Sequence, residues 1–169
     1  MALVVAQPIG YGQPTMIRRR VGIVTFLSAA TATNLIAAFT AEMRDIGWVD
    51  GRNIEYRFTY AEGDASRLDQ GVSELIADRV EVIVATSPAG TRAAQRATRT
   101  IPIVMVSVSD AVHNGFVASL AKPGGNITGT TNQQEDVLGK LIETLHEVAP
   151  EARRVAILLN ESNPSHAVS

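Results

Sequence analysis

Two hydroxyl side chains, Thr86 and Ser87, stand between an apolar run and a proline in the segment VEVIVATSPAGTRAAQRA. Val80 to Ala85 is apolar and β-branched, which is typical of a strand buried on both faces. The residue before a proline avoids the α region, as an N-cap residue does, and proline at the first helical position loses no hydrogen bond. The pattern therefore predicts a strand followed by a helix that begins at Pro88. The free amides and the macrodipole at such an N-terminus favour a carboxylate or another anion. An ordinary capped turn without a ligand is the alternative.

Short apolar runs alternate with amphipathic segments along the chain, which predicts an α/β fold with a parallel sheet. The predicted strands are Val21 to Leu27, Ile54 to Phe58, Val80 to Ala85, Ile101 to Val106, Ile127 to Thr130 and Val155 to Leu159. The second run alternates apolar and charged residues, unlike the others, and this indicates an edge strand. We therefore predict a doubly wound, flavodoxin-like sheet in the order 2-1-3-4-5, whose switch point lies between strands one and three.

A ligand at this switch point would lie over residues 28–30 and 86–89. Ser28 to Thr33 is predicted to be a small polar loop, followed by a helix that ends at Gly47. The inward face of that helix is predicted to carry Leu35, Ile36, Phe39, Met43 and Ile46. Asp64 is predicted to cap the next helix, and a short helical piece is predicted around Phe116 to Leu120.

The composition of the 169 residues excludes several classes of function. A net charge of −2 and 5% aromatic residues give no basic or stacking surface for nucleic acid. The chain has no cysteine, so it can form neither a disulfide nor a thiolate metal site. No apolar run approaches the roughly 20 residues that cross a bilayer. Residues 1–15 contain a short apolar patch without a basic region, and we expect them to be disordered or a signal remnant.

Side chains for catalysis are present but their spacing does not support an enzyme. Ser109, Asp110 and His113 lie close together on one loop, and residues so near in sequence rarely form a triad. The chain contains no G-x-S-x-G elbow, no H-E-x-x-H motif, no Walker loop and no G-x-G-x-x-G after the first strand. We interpret His113, His146 and His166 as ordinary surface or cap residues, and we expect no cofactor.

Four separated blocks resemble the ABC transporter substrate-binding protein family that includes tryptophan- and tyrosine-type binding proteins. These blocks are RDIGWVDGRNIEYRF (residues 44–58), VIVATSPAGTRAAQRATRTIPIVMV (82–106), HNGFVASLAKPGGNITGTTN (113–132) and the run from Gly139 to Asn163. They occur in the order of the family pattern and cover nearly everything from Val21 to Pro164.

The resemblance implies a type 1 periplasmic-binding-protein fold, in which two α/β lobes close on a small molecule, here an amino acid or a related carboxylate. It also implies a non-catalytic solute receptor that is periplasmic or extracytoplasmic and works with an ABC permease. By position, the ligand would be bound by Ser28, Ala29, Thr86, Ser87, Pro88, Ser109, Asp110 and Asn160. The first seven belong to the first lobe, and Asn160 to the start of the opposite wall. Ser87 would bind a ligand carboxylate, and Asp110 either an amino group or its own loop.

The resemblance has two departures. The Asp-Pro pair of the family is Asp110-Ala111 here, and the chain stops where a second lobe would begin. We therefore divide the chain into residues 16–131 as a first lobe and residues 132–169 as a crossover helix with the first strand of an incomplete second lobe. A homodimer joined through Glu135 to Leu159 is the expected way to cover this helix. A truncated single-lobe interaction module and, less favoured, a small flavodoxin-like enzyme are the alternative functions.

Overall fold

The computed structural model describes residues 18–132 and 135–156, apart from the side chains of residues 135–138. Strands and helices alternate along the chain. They are β1 (Arg19–Thr25), α1 (Ala29–Asp45), β2 (Ile54–Tyr60), α2 (Ser66–Ala77), β3 (Val82–Ala85), α3 (Pro88–Ala97), β4 (Ile103–Ser109), β5 (Ile127–Asn132) and α4 (Glu135–Val148).

The five strands form one parallel sheet in the order β2-β1-β3-β4-β5. The predicted order and the edge position of the alternating strand β2 are confirmed. Because the strands are parallel, their carboxyl ends meet at one edge of the sheet, and the chain order reverses between β1 and β3.

The two faces of the sheet are covered to different extents. Helices α2 and α3 enclose the larger core on one face, and Leu68, Val72 and Leu75 of α2 are buried there. The other face carries α1, whose Phe39 and Met43 are partly buried against the sheet. Only Ala32 of α1 is fully buried. Leu35 and Ile46 are 48% and 71% exposed, so the predicted inward face of this helix is too wide.

Small residues allow α2 and α3 to lie close to the strands. Ala93 and Ala94 of α3 are buried, and a Cβ atom added at Gly90 would lie 3.6 Å from the Val24 carbonyl oxygen. On α2, a Cβ atom added at Gly71 would overlap the Thr59 side chain, which belongs to the edge strand. The alanine-rich sequence of α3 is thus explained by its close packing on the sheet.

An extra residue interrupts β4. The pairing of β4 with β5 shifts between Met105 and Val108, and Ser107 between them has a φ of 53°. Val106 lies on the α1 side of the sheet, whereas Val108 is buried on the α3 side. Two residues apart in a regular strand would share a face, so this β-bulge reverses the alternation. Gly129 of β5 lies directly beside the bulge at φ 138°, where the Met105 backbone leaves no space for a Cβ atom.

Two predicted elements are wrong. The polar loop at residues 28–33 does not form, because Ser28 is the N-cap of a helix that begins at Ala29. No helix forms at residues 116–120, where Phe116 and Val117 are inserted into the core from an irregular turn. Residues 155 and 156, the described part of the predicted sixth strand, are not in a strand, and the rest of it lies outside the described residues.

Candidate functional site

The N-terminus of α3 lies at the switch point, with the capping geometry predicted from Ser87-Pro88. Ser87 is extended (φ −155°, ψ 157°), and its Oγ accepts a hydrogen bond from the Gly90 amide at 3.1 Å. Its carbonyl oxygen accepts from the amide and the hydroxyl of Thr91, both at 2.9 Å. The Ala89 amide makes no hydrogen bond to the described residues. This helix end therefore retains a free donor beside the Ser87 hydroxyl.

The N-terminus of α1 has a different partner. Ser28 Oγ accepts from the Thr31 amide at 3.1 Å, as an N-cap does. The next amide, that of Ala29, donates to Glu62 Oε1 at 3.3 Å. Glu62 lies in the loop after β2, which is held against the loop after β1 by a bond from the Gly63 amide to the Phe26 carbonyl oxygen (2.9 Å). A carboxylate of the chain itself thus occupies the position that the sequence assigned to a ligand.

Thr86 and Ser87 point to opposite faces of the sheet. Thr86 lines a small cavity of about 50 Å³ between α1 and the strands, together with Thr25 and apolar side chains such as Val84 and Val106. Ser87 lies on the α3 side. The backbone of Thr86 is fixed by a bond from its amide to the Val24 carbonyl oxygen at 3.1 Å. The structure therefore separates the two hydroxyls that the sequence grouped together.

Asp110 follows the last residue of β4 and caps the turn after it. Its Oδ1 accepts from the His113 amide at 3.1 Å, and its carbonyl oxygen accepts from the amide and the side chain of Asn114, both at 3.0 Å. The carbonyl oxygen of Ser109 also accepts from the Asn114 side chain at 3.0 Å. Asp110 Oδ2 makes no hydrogen bond to residues 18–132 or 135–156. The loop cap is thus present, and it leaves one carboxylate oxygen for another partner.

Asp110 and His113 are the acid–base candidates that the sequence placed at this edge. Asp110 contacts the amide of His113, so the contact does not form an acid–base pair with the imidazole. Within the described ranges, no group of three or more His, Cys, Asp or Glu residues is arranged to hold a metal ion. No described helix is long and apolar enough to cross a membrane.

The sequence matches the family model described as "ABC transporter substrate binding protein" over residues 20–168, which is most of the chain. The chain belongs to this family. The five-stranded sheet in the order 2-1-3-4-5 is the first lobe of its type 1 periplasmic-binding-protein fold.

Individual substrate-binding proteins are similar to this chain. A tyrosine-binding protein of Clostridioides difficile (strain R20291) is 31% identical over 145 residues, which are 86% of this chain and 41% of that protein. The ligand-free, open structure of a substrate-binding protein with adhesive properties from Clostridium difficile has 32% identity and a TM-score of 0.65. That match covers 79% of this chain and 45% of the other.

A third similar protein is the ABC domain from Streptococcus pneumonia in complex with L-Trp. It has 23% identity and a TM-score of 0.63, over 69% of this chain and 39% of that one. At this identity the likeness concerns the fold. The chain spans less than half the length of each of these three relatives.

Within this substrate-binding fold, the seven first-lobe residues predicted from the sequence lie at or next to the carboxyl ends of β1, β3 and β4. Asn160 lies outside the described residues, so its place on an opposite wall stays a prediction. Sequence reasoning missed Glu62. The sequence held only an indirect indication of its role. Glu62 follows the edge strand β2 by two residues, and the loop after β2 must lie beside the loop after the neighbouring strand β1.

Proposed function

We propose that this chain is the solute-binding component of an ABC import system and binds an amino acid at the carboxyl ends of β3 and β4. Aromatic amino acids are the first candidates. One relative, 31% identical, is a tyrosine-binding protein, and a structure of similar fold holds L-Trp. We also propose that the protein is extracytoplasmic, that its partner is an ABC permease, and that it catalyses no reaction.

The observation that carries the proposal is the contrast between the two helix N-termini at the switch point. The Ala29 amide of α1 binds the Glu62 carboxylate, whereas the Ala89 amide of α3 has no partner among the described residues. A ligand carboxylate placed at α3 would accept from this amide and from the Ser87 hydroxyl, whose oxygen already accepts from Gly90. Such charge-assisted hydrogen bonds are stronger than neutral ones.

A charged side chain at the same edge fits the amino group of the ligand. Asp110 Oδ2 has no partner in the described part of the chain, and Asp110 follows β4, two strands from β1. The ammonium group of the ligand would form an ion pair with Asp110. The carboxylate of the ligand would lie at the N-terminus of α3, which follows β3, the strand next to β4. The proposed site thus has one end with hydrogen-bond donors and a partial positive charge and one anionic end, which suits a zwitterion.

The test is a titration of the ¹⁵N-labelled chain with L-tryptophan and L-tyrosine, followed by two-dimensional NMR. Shift changes at the amides of Ala89, Gly90 and His113 are expected, and weak binding by one lobe is visible up to about 10 mM ligand. Tryptamine lacks the carboxylate and indole-3-propionate lacks the amino group, so each should bind more weakly than L-tryptophan. No shift changes with either amino acid, or equal binding of all three indoles, would contradict the proposal.

A further inference from the structure

The turn after β4, residues 110–117, is held together by short hydrogen bonds and by its own apolar residues. The amides of Gly115 and Phe116 donate to the carbonyl oxygens of Val112 and Ala111, both at 2.9 Å. Phe116 and Val117 are each 5% exposed. Val112 is 43% exposed at the surface of the turn. Asp110 begins this turn at φ 41°, so its carboxylate direction depends on how the turn is held.

Arg92 of α3 makes two contacts with the turn. Its Nη2 donates to the Asn114 carbonyl oxygen at 2.6 Å, and its guanidinium lies 4.4 Å from the centre of the Phe116 ring. Both are favourable, because the first is a charge-assisted hydrogen bond and the second a cation–π contact. The side chain is partly buried, so solvent screens these contacts incompletely.

Gln95, three residues further along α3, holds the next residue of the turn. Its Nε2 donates to the Gly115 carbonyl oxygen at 2.8 Å, and its Oε1 accepts from Arg92 Nη1 at 2.9 Å. Residues three apart on a helix are neighbours on its surface, so the side chains of Arg92 and Gln95 lie on the same face of α3. Two consecutive carbonyl groups of the turn are thus bound by one face of α3.

We propose that Arg92 and Gln95 are positioning residues for ligand recognition, which they support without touching the ligand. This inference rests on the proposed function, because it assigns them the task of keeping Asp110 at a fixed distance from the N-terminus of α3. Helix α3 bears the Ser87 cap at one end and this pair in its middle. It therefore links the donor end and the anionic end of the proposed site through a rigid element.

The experiment compares Arg92→Met with Arg96→Met in the full chain. Arg96 lies on the same helix but pairs with Asp69 at 2.6 Å and makes no hydrogen bond or ion pair with the turn, all of whose residues are described, so it is a matched control. In the ligand-free protein, hydrogen exchange at the amides of His113 and Phe116 should rise about tenfold in Arg92→Met and stay unchanged in Arg96→Met. Arg92→Lys, which keeps the cation, should lie between them.

Affinity for L-tryptophan is the second readout, taken from the same NMR titration. Arg92→Met should weaken binding about fivefold, and the effect should vanish in an Asp110→Asn background, because coupled residues are not additive. A loss of equal size in that background would mean that Arg92 acts on the ligand directly, and it would overturn the inference. Unchanged exchange in Arg92→Met would overturn it as well.

The two proposals fail in different ways. A wild-type chain that bound neither amino acid would refute the proposed function and, with it, the role of Arg92 in recognition. Binding by the wild type with unchanged affinity in Arg92→Met would refute the inference alone. Gln95→Leu offers a second variant if Arg92→Met does not fold, because it removes one bond to the turn and keeps the charge of α3.

Discussion

Ser28 and Ser87 are both N-caps at the switch point, but the amides that follow them differ. The Ala29 amide bonds to Glu62, whereas the Ala89 amide has no partner among the described residues. Replacing either serine by alanine should lower the free energy of unfolding by about 1 kcal/mol, since each loses a side-chain acceptor for a helix amide. Only Ser87→Ala should also weaken binding of L-tryptophan, by about threefold to tenfold, because only this hydroxyl lies beside an open helix end. Chemical denaturation and the NMR titration measure the two effects separately.

The Ser28→Ala variant is the control for this prediction. It makes the same substitution, at the same helical position and at the same edge of the sheet. An equal loss of affinity in the two variants would show that binding follows overall stability, and unchanged affinity in both would remove Ser87 from the site.

Asp64 shows how local hydrogen bonds change the acid stability of one loop. The hydroxyl and the amide of Ser66 donate to its carboxylate at 2.7 and 2.9 Å, and these bonds lower the pKa of Asp64 below its ordinary value of 3.8. A lowered pKa in the folded state means that ionised Asp64 stabilises the fold above its unfolded pKa, and that this contribution is lost as the pH falls through the folded pKa. Replacing Ser66 by alanine removes the larger of the two causes.

The expected result is a higher pKa for Asp64 in Ser66→Ala than in the wild type, measured by NMR titration of the carboxyl carbon. The loss of stability on acidification begins near the unfolded pKa in both proteins, and in the variant it should be smaller and complete at a higher pH. If the pKa of Asp64 were the same in both proteins, the hydroxyl would not be the main cause of the shift.

At the level of single residues, the sequence predicted what local chemistry determines and missed what depends on contacts between distant segments. The cap at Ser87 follows from its neighbour Pro88. The bond from the Ala29 amide to Glu62 spans 33 residues, and the bond from Arg92 to Asn114 spans 22. Neither has a local pattern, so neither Glu62 nor Arg92 could be recognised before the strands were placed side by side.

The close packing of α2 on the edge strand depends on one glycine. A Cβ atom at Gly71 would overlap Thr59 Cγ2, so Gly71→Ala should destabilise the protein by about 1–3 kcal/mol despite the better helix propensity of alanine. Thr59→Ser removes the overlapping methyl group. The double variant should therefore recover at least half of the loss, measured by chemical denaturation.

Gly139→Ala is the matched control, because this glycine also lies in a helix but a Cβ atom there would meet no described atom within 4 Å. It should be neutral or stabilising by up to about 1 kcal/mol. If Gly71→Ala were equally harmless, α2 would be able to move away from β2 without cost.

The order of the strands and helices was predictable from the sequence. Their first and last residues were less predictable, because these depend on which residues of neighbouring strands pair. β1 begins two residues earlier than predicted: the polar residues Arg19 and Arg20 pair with Ile54 and Glu55 of β2, and Arg19 also bonds to Glu81 at 2.6 Å. β4 continues three residues past its apolar run because the bulge lets it pair with β5 up to Asn132. Strand pairing thus extends both elements beyond the hydrophobic pattern that revealed them.

Helix α4 presents an apolar surface, with Leu141 and Ile142 57% and 63% exposed, and Leu145 and Val148 also exposed. Our expectation of a homodimer through residues 135–159 therefore stays a prediction, and this surface supports it. The wild-type chain should elute as a dimer at tens of micromolar, as measured by light scattering after size exclusion, because apolar patches of this kind favour association. Ile142→Glu should shift the equilibrium toward the monomer.

Lys140→Glu introduces the same side chain at a neighbouring exposed position of α4 and should leave the dimer intact. A wild-type monomer at this concentration would contradict the model. So would a dimer that persists after deletion of everything beyond Thr131, since the contact would then lie elsewhere on the first lobe.

The bulge in β4 accommodates one extra residue at this edge of the sheet. Val106 and Val108 lie on opposite faces only because one extra residue stands in the strand at Ser107. Deleting that residue would make Val106 and Val108 adjacent in a regular strand, where they would still lie on opposite faces. Straightening the strand with Ser107 kept would instead move Val108 and Ser109 to the other face, so the bulge lets the strand carry one more residue while the surface before Asp110 stays the same.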